Sequence, residues 1–283
     1  MIELPNPSSV PRVADWLEIS VVTSRQPLSK AATASVIESA GGEEPSEAFI
    51  SHVWGELEYR TNLYQEPYFE VQDRTIRPLR RTRPPAEYVA CLLWSLFGVQ
   101  GVTQHQGKLF ERITCKAVER YLSGNAFVFG WPSENPRGGL NESQVKRKIK
   151  KVADDLGEMF VEAPRPQFND RGVDVIGWVP FAEGRSGQLV MLLQCTAGRD
   201  WKDKLPIPIG NWCEYIHWSA NPIPAFAIPA IVKERDWHER SKQQGMIFDR
   251  ARIVNLLPRG TDDRDLAREL KNWVSQTLAD VET

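Results

Sequence analysis

The stretch LVMLLQCTAG, Leu189 to Gly198, decides the fold. Five apolar residues in a row read as a strand buried on both faces. It then ends in an amide, a thiol and a hydroxyl (Gln194, Cys195, Thr196) rather than in a turn residue. Just upstream, GVDVIGWVPF (172–181) reads as a second strand, and FAEGRSG (181–187) as the loop joining the two into a hairpin centred near Gly184. Closure there without a bulge makes the numbers of opposed residues sum to about 368, which sets Asp174 across from Gln194 on one face. Period-two alternation adds Thr196 to that face, with Ile176 and Trp178 beside Asp174. A carboxylate, an amide and a hydroxyl are thus expected at one end of an otherwise apolar sheet.

A fourth polar group comes from GKLFERITCKAVERYLSG (107–124), which reads as a helix. Arg112, Lys116, Glu119 and Arg120 mark its wet side. Glu111 shares its stripe with Cys115, Val118 and Leu122 instead, so its carboxylate is aimed inward. An inward carboxylate needs a partner, either a hydrogen-bond donor, a cation or a metal. Glu111, Asp174 and the Gln194 carbonyl together form the kind of oxygen-rich set that hard divalent ions prefer. Taken singly, each has a plainer reading: Glu111 bonding a neighbour, Asp174 at a bulge, Gln-Cys-Thr capping the sheet.

The chain has 283 residues, 41% hydrophobic and 25% charged, with a formal net charge of −2. That is ordinary for a globular protein and long enough for one large domain or a domain with a helical appendage. Near-neutral charge means that any nucleic-acid binding must come from local basic patches. Cys91, Cys115, Cys195 and Cys213 form no CxxC pair, so a disulfide scaffold or zinc knuckle is not expected and a reducing, cytoplasmic setting is. The N-terminus lacks the pattern of a signal peptide, and no apolar run approaches the roughly 20 residues of a membrane span.

Helices are expected over 11–24, 28–40 and 44–62, then a Pro/Arg segment, RPLRRTRPP (77–85), which breaks the chain. This segment is either a solvated linker or a phosphate-contacting strap of Arg77, Arg80, Arg81 and Arg83. The expected division is a helical module with its Pro/Arg linker over 1–85 and an α/β domain over 86–283. In the second part, helices at 85–98, 107–124 and 141–159 (capped by Asn141) alternate with strands at 126–131, 172–181 and 188–196. Residues 205–218 read as partly helical, PAFAIPAIV (224–232) and MIFDRARIVNLL (246–257) as strands, and 261–280 as a closing helix capped near Thr261. Interleaved strands and helices predict an α/β fold with a mixed sheet flanked by helices.

GVDVIGW followed across a hairpin by MLLQCT resembles the Mrr-like branch of the PD-(D/E)XK restriction-endonuclease superfamily, and Phe110-Glu111 echoes its upstream helix. The likeness spans roughly residues 105–200. It implies a restriction-endonuclease-like core and metal-assisted hydrolysis of a DNA phosphodiester, with Mg²⁺ as the cofactor and Mn²⁺ as the alternative ion. Asp174 would be the metal-binding aspartate, Gln194 a neutral ligand or water-positioner, and Glu111 the helix carboxylate. The resemblance also implies a prokaryotic restriction or phage-defence role. One position departs from the pattern: where the family carries a lysine, this chain has Thr196, which brings no positive charge. Three outcomes stay open. Lys202 supplies the ammonium from the next loop; metal and Thr196 suffice; or the site is inactive, leaving a subunit that binds nucleic acid or assembles with a partner.

KRKIKK (146–151) lies on a predicted amphipathic helix. Lys146, Arg147 and Lys150 form either a solvated surface or a DNA-backbone rail, with Arg199 as a further candidate contact. His52, His105, His217 and His238 are scattered without metal spacing. No GxxxxGK[ST], GxSxG or GxGxxG motif occurs, so any ATP-driven step requires a separate ATPase or helicase subunit. An oligomer is compatible with all of this, and the sequence assigns no role to residues 1–85.

Overall fold

The computed structural model describes residues 2–41, 43–79, 83–99, 103–129, 142–162 and 172–281, except for the side chains of 103–104 and 142–145. Helix α1 (Val10–Ser24) starts at Pro11, whose fixed φ suits a first turn, and buries Val13, Trp16, Leu17 and Ile19. Strand β1 (Leu28–Ser29) leads into α2 (Lys30–Ser39), where the Ser29 hydroxyl caps the helix by accepting from Ala32 N–H. Ser46 does the same for α3 (Glu47–Leu63). Strands β2 (Phe69–Val71) and β3 (Thr75–Pro78) pair antiparallel, with β1 on the other edge of β3. Helix α4 (Ala86–Phe97) is buried along nearly its whole length, as its apolar sequence demands.

The second half builds around five strands. After α5 (Thr103–Leu122) come β4 (Asn125–Val128), α6 (Glu142–Leu156) and β5 (Met159–Phe160), then the hairpin β6 (Val175–Val179) and β7 (Leu189–Cys195). Next are α7 (Ile209–Tyr215), β8 (Ile216–His217), β9 (Ile223–Ala227), α8 (Glu234–Gln244), β10 (Met246–Phe248), α9 (Arg250–Leu256) and α10 (Arg264–Val281). The sheet order is β10-β9-β7-β6-β4; β4, β6 and β7 form an antiparallel meander, and β9 and β10 run parallel to β7. The expected α/β class, a mixed sheet flanked by helices, is what the chain forms.

Both faces of the sheet are covered. Val175, Met191 and Leu193 join the larger apolar cluster with α5 residues Leu109, Phe110, Ile113 and Val118. Helix α5 lies so close that a Cβ on Gly177 would stand 2.5 Å from Val118, so only glycine fits there. Ile176, Val190 and Leu192 join a second cluster with Ile149 and Val152 of α6 and Trp212 of α7. Alternation thus assigns odd positions of β6 and β7 to α5 and even positions to α6 and α7.

Several expectations need correction. MIFDRARIVNLL is a strand only to Phe248; the Asp249 carboxylate then accepts from Arg252 N–H and caps α9. The closing helix is capped by Asp263, which accepts from Leu266 N–H at 3.0 Å, while the Thr261 hydroxyl accepts from Asp263 N–H. The first 85 residues are not purely helical, because β1, β2 and β3 form a sheet there, and α8 was not foreseen. Arg77 lies at the end of that sheet, paired with Glu70 in register. Arg80, Arg81, Asn141, Gly130 and Trp131 lie outside the described residues.

Residues on both sides of position 85 share one core. Trp16, Leu17, Trp54 and Ile76 belong to the same apolar cluster as Tyr88, Phe110, Leu193 and Ile253. A buried polar knot joins them further. The Arg60 guanidinium donates to Asp15 (2.7 Å) and Glu18 (3.0 Å), and the Arg250 guanidinium donates to the same two acids at 3.0 and 3.1 Å. The hydroxyls of Tyr64 and Tyr88 donate to Glu18, and Ser95 donates to Asp15.

Candidate functional site

The site sits where β7 ends and β6 begins. The pair Val175 and Leu193 ends the regular hairpin register, and its numbers match the predicted sum. The expected step from there to Asp174 opposite Gln194 does not form: Asp174 N–H is also directed at Leu193. Asp174 N–H donates to the Leu193 carbonyl at 2.9 Å on one neighbour, while the Asp174 carbonyl accepts from Phe129 N–H at 2.8 Å on the other, so the chain is bulged at Asp174. Val173 joins the α6 cluster although Val175 joins the α5 cluster, so two-residue alternation does not run through Asp174 and the expected shared face with Gln194 is not established by it.

Two contacts fix them. The Asp174 carboxylate accepts from the Cys195 backbone N–H at 2.7 Å. The Gln194 amide lies against Gly172, whose φ is +80°; a Cβ there would stand 2.7 Å from Gln194 Nε2. Glycine is therefore required twice, for the left-handed backbone and for the close approach. The Gln194 carbonyl oxygen Oε1 is buried and has no hydrogen-bond partner among the described residues. A buried oxygen without a donor is costly, and a cation or an ordered water would relieve it.

Glu111 comes from α5, on the other side of the sheet, and is 9% exposed. It acts on the strand end at Cys195, which packs against the α5 side of the central strand β7. Burial, and then the Asp174 and Glu111 carboxylates, push the Cys195 thiol well above its usual range, so both acids act on that one group. Glu111 also accepts from Lys108 Nζ at 2.7 Å, one helical turn earlier. Lys108 was missed in the sequence, although its spacing of three from an inward acid is the signal that finds it.

The remaining candidates are spread around this edge. Thr196 is 6% exposed, and its N–H donates to the Ala227 carbonyl at 2.9 Å. The Lys202 ammonium stands 5.6 Å from the centre of the Trp201 ring and lines a cleft with Arg199, whose guanidinium donates to the Phe97 carbonyl. On α6, Lys146 and Arg147 are exposed, whereas Lys150 is tied to Asp154 at 2.8 Å and Lys151 to Asp155 at 2.6 Å. Much of the charge of KRKIKK is thus neutralised within its own helix. Lys148 turns inward and donates to the Phe129 carbonyl.

Among the described residues, no three His, Cys, Asp or Glu side chains come together closely enough to hold a metal. A site here would use one carboxylate, Asp174, and the orphaned amide oxygen of Gln194. That set fits Mg²⁺, which takes one or two protein oxygens and fills its other positions with water and phosphate.

No family model matches the chain, and no curated protein matches it. Among solved structures, the restriction endonuclease FokI is similar at a TM-score of 0.20 and 11% identity. The match covers 91% of this chain and 46% of that one, so the chain spans less than half the length of the protein it matches. A likeness of that size carries nothing about chemistry. No helix of the described residues is long and apolar enough to cross a membrane.

Proposed function

We propose that the chain is a metal-dependent DNA endonuclease that hydrolyses phosphodiester bonds, serving restriction or phage defence in a prokaryotic cytoplasm. The observation that carries this reading is the Gln194 side-chain oxygen, buried and without a partner among the described residues, at the strand end where Cys195 N–H holds the Asp174 carboxylate. The motif resemblance over residues 105–200 supports it; the solved-structure likeness does not enter.

Mg²⁺ or Mn²⁺ held by Asp174 and Gln194 would supply Lewis acidity, lowering the pKa of a water and polarising a phosphate. The protein's own part is positional. Cys195 N–H fixes the Asp174 carboxylate, and Gly172 leaves the room in which the Gln194 amide lies. Lys108 puts a cation at the Glu111 carboxylate, one layer away, where the chain lacks a lysine at position 196. Exposed Lys146 and Arg147 stand on α6, which packs on the Val190 and Leu192 face of β7, and offer phosphate contacts there.

A second reading is an inactive nuclease-fold subunit that binds nucleic acid or assembles with a partner. Thr196 favours it, being neutral and buried at the family's lysine position. Plasmid incubated with the intact protein and Mg²⁺ or Mn²⁺ separates the two. Cleavage by the wild type, lost in Asp174→Ala and Gln194→Ala, supports the enzyme. DNA binding with no cleavage under either ion overturns it in favour of the subunit.

A further inference from the structure

The carboxyl ends of the parallel neighbours β7 and β9 open into a cleft of about 470 Å³, bounded on the other side by the first turn of α1. Parallel strands whose chains turn away at their C-terminal ends leave crevices that hold ligands, and pockets for small molecules run from about 300 to 1,000 Å³. Six cations line this one; Arg60 and Arg235 are paired with acids, which leaves four: Arg12 from α1, Arg199 and Lys202 from the segment after β7, and Lys233 from the segment after β9. Among the described residues, none of the four has a carboxylate partner within 4.0 Å.

The acids of the cleft are engaged elsewhere. Asp15 accepts from Arg60, Arg250 and Ser95, and Asp236 pairs with Arg235 at 3.4 Å. Ser9, at the start of α1, makes no capping bond and no acid stands in the first turn, so the positive end of that helix is also uncompensated. Among the described residues, cations from three separate segments therefore face one space without an ion pair of their own.

We propose that this cleft binds a phosphate-bearing ligand of nucleotide size, through a phosphomonoester or polyphosphate group held by Arg12, Arg199, Lys202 and Lys233. A single carboxylate would balance one of these charges; a phosphate group carries up to two, a polyphosphate more, and its oxygens match the guanidinium fork. Trp94 and Trp201 supply apolar wall for the rest of the ligand. Burial, reinforced by Arg199 and Arg60, already holds the Arg12 guanidinium below its usual range despite Asp15 nearby, and a bound anion relieves that crowding. The cleft works whether or not Asp174 supports cleavage.

The test is calorimetric titration of the intact protein with inorganic pyrophosphate, ATP, and short oligonucleotides with and without a 5′-phosphate. Saturable binding is expected, weakened about tenfold or more in both Arg12→Gln and Lys233→Gln and unchanged in Asp174→Ala. Removing a crowded charge leaves the melting temperature of Arg12→Gln equal to or above that of the wild type, so lost binding is not lost folding. ATP and pyrophosphate binding without preference for the 5′-phosphorylated oligonucleotide identifies a free nucleotide as the source. A preference for the 5′-phosphate over the 5′-hydroxyl identifies a nucleic-acid end. Absence of saturable binding by every probe, or binding untouched in both variants, overturns the proposal.

Discussion

The Asp174 carboxylate accepts a 2.7 Å hydrogen bond from the Cys195 backbone N–H, which clamps the acid of one strand to the residue beside Gln194 on the next. Asp174→Asn keeps an oxygen for that N–H but loses the charge; Asp174→Ala loses both. Cleavage should fall about a hundredfold or more in both, since metal assistance is worth several kcal/mol. Only the alanine variant should also lose about 1–3 kcal/mol of stability, from the stranded N–H. Denaturation curves run beside cleavage assays check the split. Equal stability loss in the two would show that the clamp is not what the carboxylate provides.

Gly172→Ala places a methyl group where the Gln194 amide now lies, at a backbone φ of +80°. The expected cost is about 1–3 kcal/mol. Cleavage should drop further than that stability loss explains, because the amide must shift. A variant of wild-type activity would show that Gln194 does not need its present position.

Two lysines compete to supply the cation that position 196 lacks. Lys108 touches the Glu111 carboxylate at 2.7 Å, whereas Lys202 lies over Trp201 in the basic cleft. Lys108→Ala is therefore expected to lower the cleavage rate more than Lys202→Ala. Its stability should change by less than about 1 kcal/mol, as for other partly exposed pairs. The reverse order of rates would return the role to Lys202.

The knot of Asp15, Glu18, Arg60 and Arg250 makes a prediction about folding. Arg250→Met leaves two buried acids with one guanidinium fewer and should cost about 3–5 kcal/mol. Chemical denaturation measures it, and a loss under about 1 kcal/mol would contradict the account.

The same knot has a pH signature. Burial pushes the Asp15 carboxyl up, but Arg60, Arg250 and the hydrogen bonds from Ser95 and Arg250 outweigh it and hold the group below the usual range. A carboxyl depressed in the folded state adds stability above its unfolded pKa of about 3.9, and that stability is lost as pH falls through the folded value. Asp249, which burial holds above the usual range, contributes with the opposite sign. The quantity to measure is thus the stability difference between wild type and Asp15→Asn, expected to be largest near neutral pH and to shrink below about pH 4. A difference that grows on acidification would reverse the assignment.

What the sequence made legible was local. The hairpin register followed from one turn and a two-residue period as far as Val175 and Leu193; the bulge at Asp174 breaks that period, which is why the expected pairing with Gln194 does not form. The inward aim of Glu111 followed from helical spacing. Its approach from the opposite layer did not, because nothing in a helix pattern says which face of a distant sheet it covers. Residues 249–256 were misread because Ile253, Val254, Leu256 and Leu257 suit a strand as well as a helix; the capping role of Asp249 was the cue that settles it. Arg250 and Asp15 are 235 positions apart, beyond the reach of any periodicity.

That last contact bears on how such a chain can be cut or recombined. A fragment starting at residue 86 would keep the Asp174 hairpin entire yet leave Arg250 facing a hole where Asp15 and Glu18 had been. It would also bare the flank of α4 that Trp16 and Leu17 cover. The opening third is thus not dispensable: grafting residues 86–283 onto another protein would carry over the Asp174 hairpin and lose the body that keeps it in shape.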